Sequence, residues 1–184
     1  GWLCTLPLPE HRVTITISQL FYLILFGMAT AISIRISHFA GQNDIEGIKA
    51  NSKDGFRLVL FCSLLLSIPT LIFRNQLGAL FSSNVEVQQT VGMLIIVLII
   101  YQFGDGMQYT FSNALRGISC VKPLVPCAFI AYFLVSLPLG YVLGFIANLG
   151  ILGIWLAFPF GLTLAGVLYW QRFRKELKKL EVRK

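Results

Sequence analysis

The chain has 184 residues, 56% of them hydrophobic and only 12% charged, with a mean hydropathy of +0.75. A soluble domain is typically about 25% charged, so the composition excludes an ordinary water-soluble protein and indicates a membrane protein. The net charge of +7 therefore reports membrane topology, not a nucleic-acid footprint. Cys4, Cys62, Cys120 and Cys127 lack CxxC spacing, His11 and His38 stand apart, and there is no GxxxxGK[ST] loop. No disulfide framework, metal cluster, cofactor or enzyme activity is expected.

Gly1 stands where an initiator Met is usual, and no charged segment with a cleavage site follows, so no signal peptide is expected. Residues 1–12 read as the end of a missing upstream helix and an external turn at Pro7 and Pro9. The membrane bundle then covers 13–170, with a first span at 13–37. On it Thr16, Gln19, Gly27, Thr30 and Ser37 fall at near-helical spacing and can line one side of a cavity. Ser and Thr hydroxyls in membrane helices also bond their own backbone, and that alternative stays open. Gly27 and Ala31 form a small-xxx-small step suited to helix contact.

The loop 38–56 carries Gly41, Asn43, Asp44 and Gly55, and its middle, 45–51, is predicted as a short helix at the membrane surface. The apolar run 58–73 is short against the roughly 20 residues a crossing needs. The second span therefore begins near Ser52 and runs 52–73, with Lys53 and Arg57 snorkelling and Pro69 kinking it. The stretch 74–86 reads as an external connection. There Ser82, Ser83 or Asn84 caps the third span, whose first turn holds Glu86.

The third span, 86–115, contains the one carboxylate deep inside an apolar run. At 1.5 Å per residue Asp105 lies roughly 21 Å and about 15 Å from the ends of the stretch 91–115. An acid persists at such depth when it faces a polar cavity, pairs with another group, or carries a proton or cation in a transport cycle. Tyr101, Gln108, Tyr109 and Ser112 share its helical face. Gly104 and Gly106 flank it and leave room for a ligand, a water or another backbone. The bland reading is a hydrogen-bond node holding helices together.

The fourth span, 122–146, contains Pro126, Pro138 and a GxxxG step at Gly140 and Gly144; the fifth, 149–170, contains Pro159. The basic tail 171–184 stops translocation or lies along the membrane surface. With the N-terminal end external, thirteen of the fifteen basic residues fall on the cytoplasmic side, and only Arg12 and Arg74 fall outside. Loops rich in Lys and Arg stay in the cytoplasm, so the C-terminus is expected inside a cell (inner, cytoplasmic) membrane.

Several segments in register carry a family resemblance. These are Ala31-Ile32-Ser33-Ile34-Arg35, Tyr101-Gln102-Phe103-Gly104-Asp105, Ala114-Leu115-Arg116-Gly117, Leu137-Pro138-Leu139-Gly140-Tyr141 and Gly150-Ile151-Leu152-Gly153-Ile154-Trp155. They resemble, in order, the A-x-S-[VI]-R, Y-Q-x-x-D, L-R-G, G-L-P-x-G-Y and glycine-tryptophan segments of the MATE family, the multidrug and toxic-compound extruders. From Leu8 to about Arg172 the chain is similar to that family's C-terminal lobe.

The resemblance implies an all-α, polytopic bundle of about five transmembrane helices, the last five of a twelve-helix antiporter. Its partners would be the lipid bilayer, the N-terminal six-helix lobe and preceding helix, and small organic cations. It implies that Asp105 binds the coupling ion, Na⁺ or H⁺, with Tyr101, Gln102, Gln108, Tyr109, Thr16 and Gln19 shaping the cavity. Arg116 and Gly117 would form a cytoplasmic loop motif. The chain departs from the family at Pro9-Glu10-His11-Arg12, at Asn113 and at Cys120. Two rivals are weighed: a lipid-linked oligosaccharide flippase of the same superfamily, and a membrane fragment without transport. A flippase handling pyrophosphate wants Lys or Arg at lipid depth, whereas every basic residue here sits near a span end.

Overall fold

The structure, a computed structural model, describes residues 7–81 and 85–182. Its elements are α1 (Pro7–Gly41), α2 (Ile45–Ile72), α3 (Arg74–Phe81), α4 (Val85–Gly117), α5 (Leu124–Phe129), α6 (Leu137–Tyr141) and α7 (Gly150–Val182). Two π-helical segments, Ile130–Ser136 and Val142–Ile146, join α5 and α6 into one continuous crossing. Among the described residues, five helices are long and apolar enough to cross a membrane: Ser18–Gly41, Ile45–Ile72, Val91–Gly117, Leu124–Ile146 and Gly150–Val182.

Several boundaries differ from the sequence expectation for local physical reasons. Pro7 and Pro9 do not make a turn; they open α1, where a proline's fixed φ suits a first turn whose N–H groups have no helical partner anyway. The surface helix expected at 45–51 is the beginning of α2 itself. Asp44 caps that helix by accepting a 2.9 Å hydrogen bond from the Gly47 N–H, so it nucleates well before Ser52. The stretch after Phe73 is helical as α3, and the expected cap at Ser82, Ser83 or Asn84 lies outside the described residues. Residues 171–182 of the basic tail simply prolong α7. An ion pair from Lys49 to Glu181 ties the far end of α7 to α2.

The fourth crossing widens into π-helix on either side of Pro138. Proline removes one backbone donor and clashes with the preceding turn, and a wider ladder accommodates both. Gly140 and Gly144 then let the crossing lie close to α7. A Cβ on Gly140 would stand 3.4 Å from the Ala157 Cβ, and one on Gly144 would stand 2.9 Å from Ile154 Cγ1. Gly27, by contrast, meets nothing within 4 Å, and Ala31 is exposed. That second small-residue step contacts no other helix of the described chain.

Helix α4 is the hub of the bundle. In its most apolar stretch 56% of residues are buried, against 17% in α2 and in Leu124–Ile146. One apolar cluster joins Phe21, Val91, Leu94, Ile95, Leu98 and Trp155 near the α4 start. Another joins Ile36, Ile48, Phe111, Leu115, Phe173 and Leu177 near its end. The polar residues between about 101 and 110 lie between these two clusters, in a belt at mid-depth. Outer faces of α1, α2 and the fourth crossing expose Leu23, Ile34, Phe61 and Leu137, as expected of helices surrounded by hydrocarbon or by another bundle.

Candidate functional site

Asp105 is 3% exposed and stands twelve residues before the end of α4 at Gly117. Its direction is set by its two glycine neighbours. A Cβ on Gly104 would meet Thr163 of α7, and one on Gly106 would meet Val59 of α2. Of the ligand, water or other backbone expected to approach these glycines, it is the neighbouring helices α7 and α2 that do. With α7 and α2 on the flanks, the acid is aimed into the sector between α1 and the fourth crossing.

Tyrosines fill that sector. Tyr101, one turn before the acid, is hydrogen-bonded to the Asp105 carboxyl. Its ring also lies edge-on to Trp155, with centroids 6.5 Å apart. Tyr109, one turn after the acid, meets Tyr22 of α1 edge-on at 5.6 Å and Phe26 at 6.4 Å. Gln108 is hydrogen-bonded to Tyr132 of the fourth crossing, which leaves its buried Oε1 without a donor. A carboxylate and an amide oxygen therefore stand three residues apart at lipid depth. Among the described residues, Asp105 has no Lys, Arg or His partner. Such a pair of acceptors suits a proton or a small cation.

The other expected residues divide. Gln19 is exposed and stands three residues before Tyr22, on the same face of α1. Thr16 is exposed and six residues before Tyr22, which turns it onto a different face. Thr30 donates its hydroxyl to the Phe26 carbonyl at 2.8 Å and Ser37 to the Ser33 carbonyl at 2.9 Å, so these two follow the backbone alternative.

Gln102 meets α2. It is 1% exposed, and its Oε1 lies 3.2 Å from the Ser67 hydroxyl of α2. Two turns of α4 separate Gly117 from Thr110, and Gly117 ends the helix instead of entering a loop. A Cβ there would stand 2.7 Å from Ile36 Cγ2 and 2.9 Å from the Ser33 carbonyl, so this glycine is a packing requirement between α4 and α1. Arg116 beside it is exposed. Sequence reading missed Tyr22 and Tyr132. The available signal was a hydroxyl-bearing ring deep in each apolar span, away from the interfacial belt where tyrosine usually sits.

The chain has relatives among known proteins. A family profile described as MatE matches residues 5–142. The chain is 37% identical over 162 residues to the multidrug resistance protein NorM of Aliivibrio fischeri, covering 86% of this chain and 35% of that protein. It is 32% identical over 169 residues to NorM of Photobacterium profundum, covering 90% and 37%. The chain thus spans little more than a third of the length of these curated relatives. The fold superimposes on the eukaryotic MATE transporter AtDTX14 with a TM-score of 0.85 at 21% identity, over 97% of this chain and 41% of that one. It also superimposes on an inward-facing multidrug resistance MATE family transporter of the MOP superfamily with a TM-score of 0.78 at 18% identity, over 91% and 39%.

Proposed function

Because the chain belongs to the MatE family and spans only part of the length of its curated relatives, we propose that it forms one bundle of a secondary antiporter. In this reading the whole protein exports drug-like organic cations in exchange for Na⁺ or H⁺, and Asp105 carries the coupling ion. The observation that supports it is the Asp105 carboxyl held at mid-depth beside Tyr101, with the unpaired Gln108 oxygen one turn away and, among the described residues, no cationic side chain paired with it.

The physical logic is alternating access. An acid in a low-dielectric belt takes up a proton or Na⁺ when the site is open to one side and releases it when open to the other, as one bundle rocks against its partner. The negative faces of Tyr22, Tyr101, Tyr109 and Tyr132 suit a cationic organic ligand in the same sector. The driving force is sufficient. One pH unit supplies about 1.4 kcal/mol per proton, which sustains roughly a tenfold gradient of a monovalent organic cation exchanged one for one, and a 100 mV potential adds about 2.3 kcal/mol for each net charge that the exchange moves. The N-terminal end is external and the C-terminus cytoplasmic.

The test is ion-driven efflux of a fluorescent organic cation from vesicles containing the full-length protein. Asp105→Asn abolishes efflux under both a Na⁺ and a pH gradient, while whichever gradient drives the unaltered protein identifies the ion. Efflux that persists in the variant returns Asp105 to a purely structural role. Vesicles holding only these 184 residues are expected not to transport.

A further inference from the structure

A groove of about 600 Å³ opens between α2 and α7 near the basic end of the bundle, with α4 as its floor. It is separate from the Asp105 sector. Met107 and Phe111, which supply the floor, stand two and six residues from Asp105, on the opposite face of α4. Phe56 of α2 and Phe173 of α7 complete an apolar interior.

The rim has a different chemistry. Lys53 of α2 and Arg174 and Lys178 of α7 stand around the mouth, and all three are exposed. Nearby Lys49 is already engaged by Glu46 and Glu181. Among the described residues, Lys53, Arg174 and Lys178 have no carboxylate partner. The Arg174 guanidinium lies 5.0 Å from the centre of the Trp170 ring, which holds it at the rim. Trp170 itself is of the type that settles at headgroup level.

Three unpaired cations above an aromatic and aliphatic slot define an amphipathic, anionic ligand. We propose that the groove holds an anionic phospholipid of the leaflet meeting the basic end, its phosphate on Lys53, Arg174 and Lys178 and an acyl chain along Phe56, Phe111 and Phe173. A soluble anion uses the rim alone and leaves the apolar interior wet. A zwitterionic lipid carries its own ammonium to the three cations and loses their attraction. Basic pockets between helices at this depth suit anionic headgroups for that reason.

The experiment uses the full-length protein in detergent, titrated with phosphatidylglycerol, phosphatidylcholine or inorganic phosphate, with bound lipid read by native mass spectrometry and protection by thermal midpoint. Phosphatidylglycerol is expected to bind and raise the midpoint, phosphatidylcholine to bind more weakly, and phosphate to give no shift. The triple variant K53Q/R174Q/K178Q is expected to weaken phosphatidylglycerol binding by about tenfold or more. A control triple variant, R57Q/K122Q/R172Q, removes the same charge elsewhere and is expected to bind as the unaltered protein does. Equal weakening in both triples means a general charge effect and overturns the proposal. So does equal binding of the two lipids, or protection by phosphate alone. A groove filled by another segment of the protein shows no lipid-dependent shift, and that result overturns it too.

Discussion

Gly104 of α4 and Thr163 of α7 approach so closely that a Cβ on the glycine would stand 2.7 Å from Thr163 Oγ1 and 3.1 Å from the Thr163 backbone nitrogen. On the other side of Asp105, a Cβ on Gly106 would stand 3.0 Å from Val59 Cγ1 of α2. The acid is thus carried on a stretch of helix clamped from both flanks, and its direction is a consequence of packing.

Gly104→Val forces α4 and α7 apart and is expected to lower stability by about 1–3 kcal/mol, the usual cost of overpacking. Gly27→Ala, at a helical glycine with nothing nearby, is expected to be neutral or slightly stabilising through backbone entropy. Thermal midpoints in detergent distinguish the two. An unchanged midpoint in the Gly104→Val variant would show that the α4–α7 contact is not tight.

Tyr101→Phe keeps the ring against Trp155 and removes the hydroxyl that bonds Asp105. Hydrogen bonds to charged groups contribute about 1.5–3 kcal/mol. Ion-driven efflux by the full-length protein is therefore expected to fall at least about tenfold, with little change in thermal midpoint. Equal loss of both would make Tyr101 a packing residue only.

Between α2 and α4, the Ser67 hydroxyl shares its one proton between the Ser63 carbonyl at 2.6 Å and Gln102 Oε1 at 3.2 Å, while Ser63 Oγ and Gln102 Nε2 have no partner. Ser67→Ala leaves a buried amide still less satisfied and is expected to cost about 1–3 kcal/mol. Adding Gln102→Leu is expected to recover most of that loss, because the apolar pair needs no partners. A double-mutant cycle from denaturant unfolding measures the coupling; additive effects would mean that the two side chains do not interact.

Cys120 lies in the turn after α4, outside the spans, where burial pushes its thiol up and Glu176 adds to the rise. Less thiolate is present at neutral pH than for a free cysteine. Alkylation should therefore accelerate from pH 7 to 9, by up to about tenfold per unit. In a full-length protein retaining only this cysteine, a membrane-impermeant maleimide is expected to label inverted vesicles and spare right-side-out ones. The opposite pattern would reverse the orientation inferred from the basic residues.

Five crossings were legible in the chain because each apolar run must be helical at lipid depth, whatever packs beside it. Asp105 was legible for the complementary reason, as a carboxylate in such a run is costly anywhere along it. The start of α2 was misjudged because a single cap at Asp44 outweighs the polar composition of residues 45–51. The fate of 171–182 was open because a helix leaving the membrane needs no new sequence signal to continue. Gln102 was implied as a cavity residue by the family resemblance alone, and a motif says nothing of the neighbouring helix that its side chain meets, here Ser67 of α2.

The residues by themselves determined the number of crossings, the depth of the acid and the asymmetry of basic charge, because hydrophobicity and Coulomb forces act on each segment alone. Only the tertiary structure decided which oxygens and rings surround Asp105. Tyr22 of α1 meets Tyr109 and Tyr132 of the fourth crossing meets Gln108, both from helices far away in sequence. The close approach of α1 to α4 at Gly117 and of the fourth crossing to α7 at Gly140 and Gly144 brings those helices into place. Close packing is a property of pairs of helices, so it is written in no single one of them.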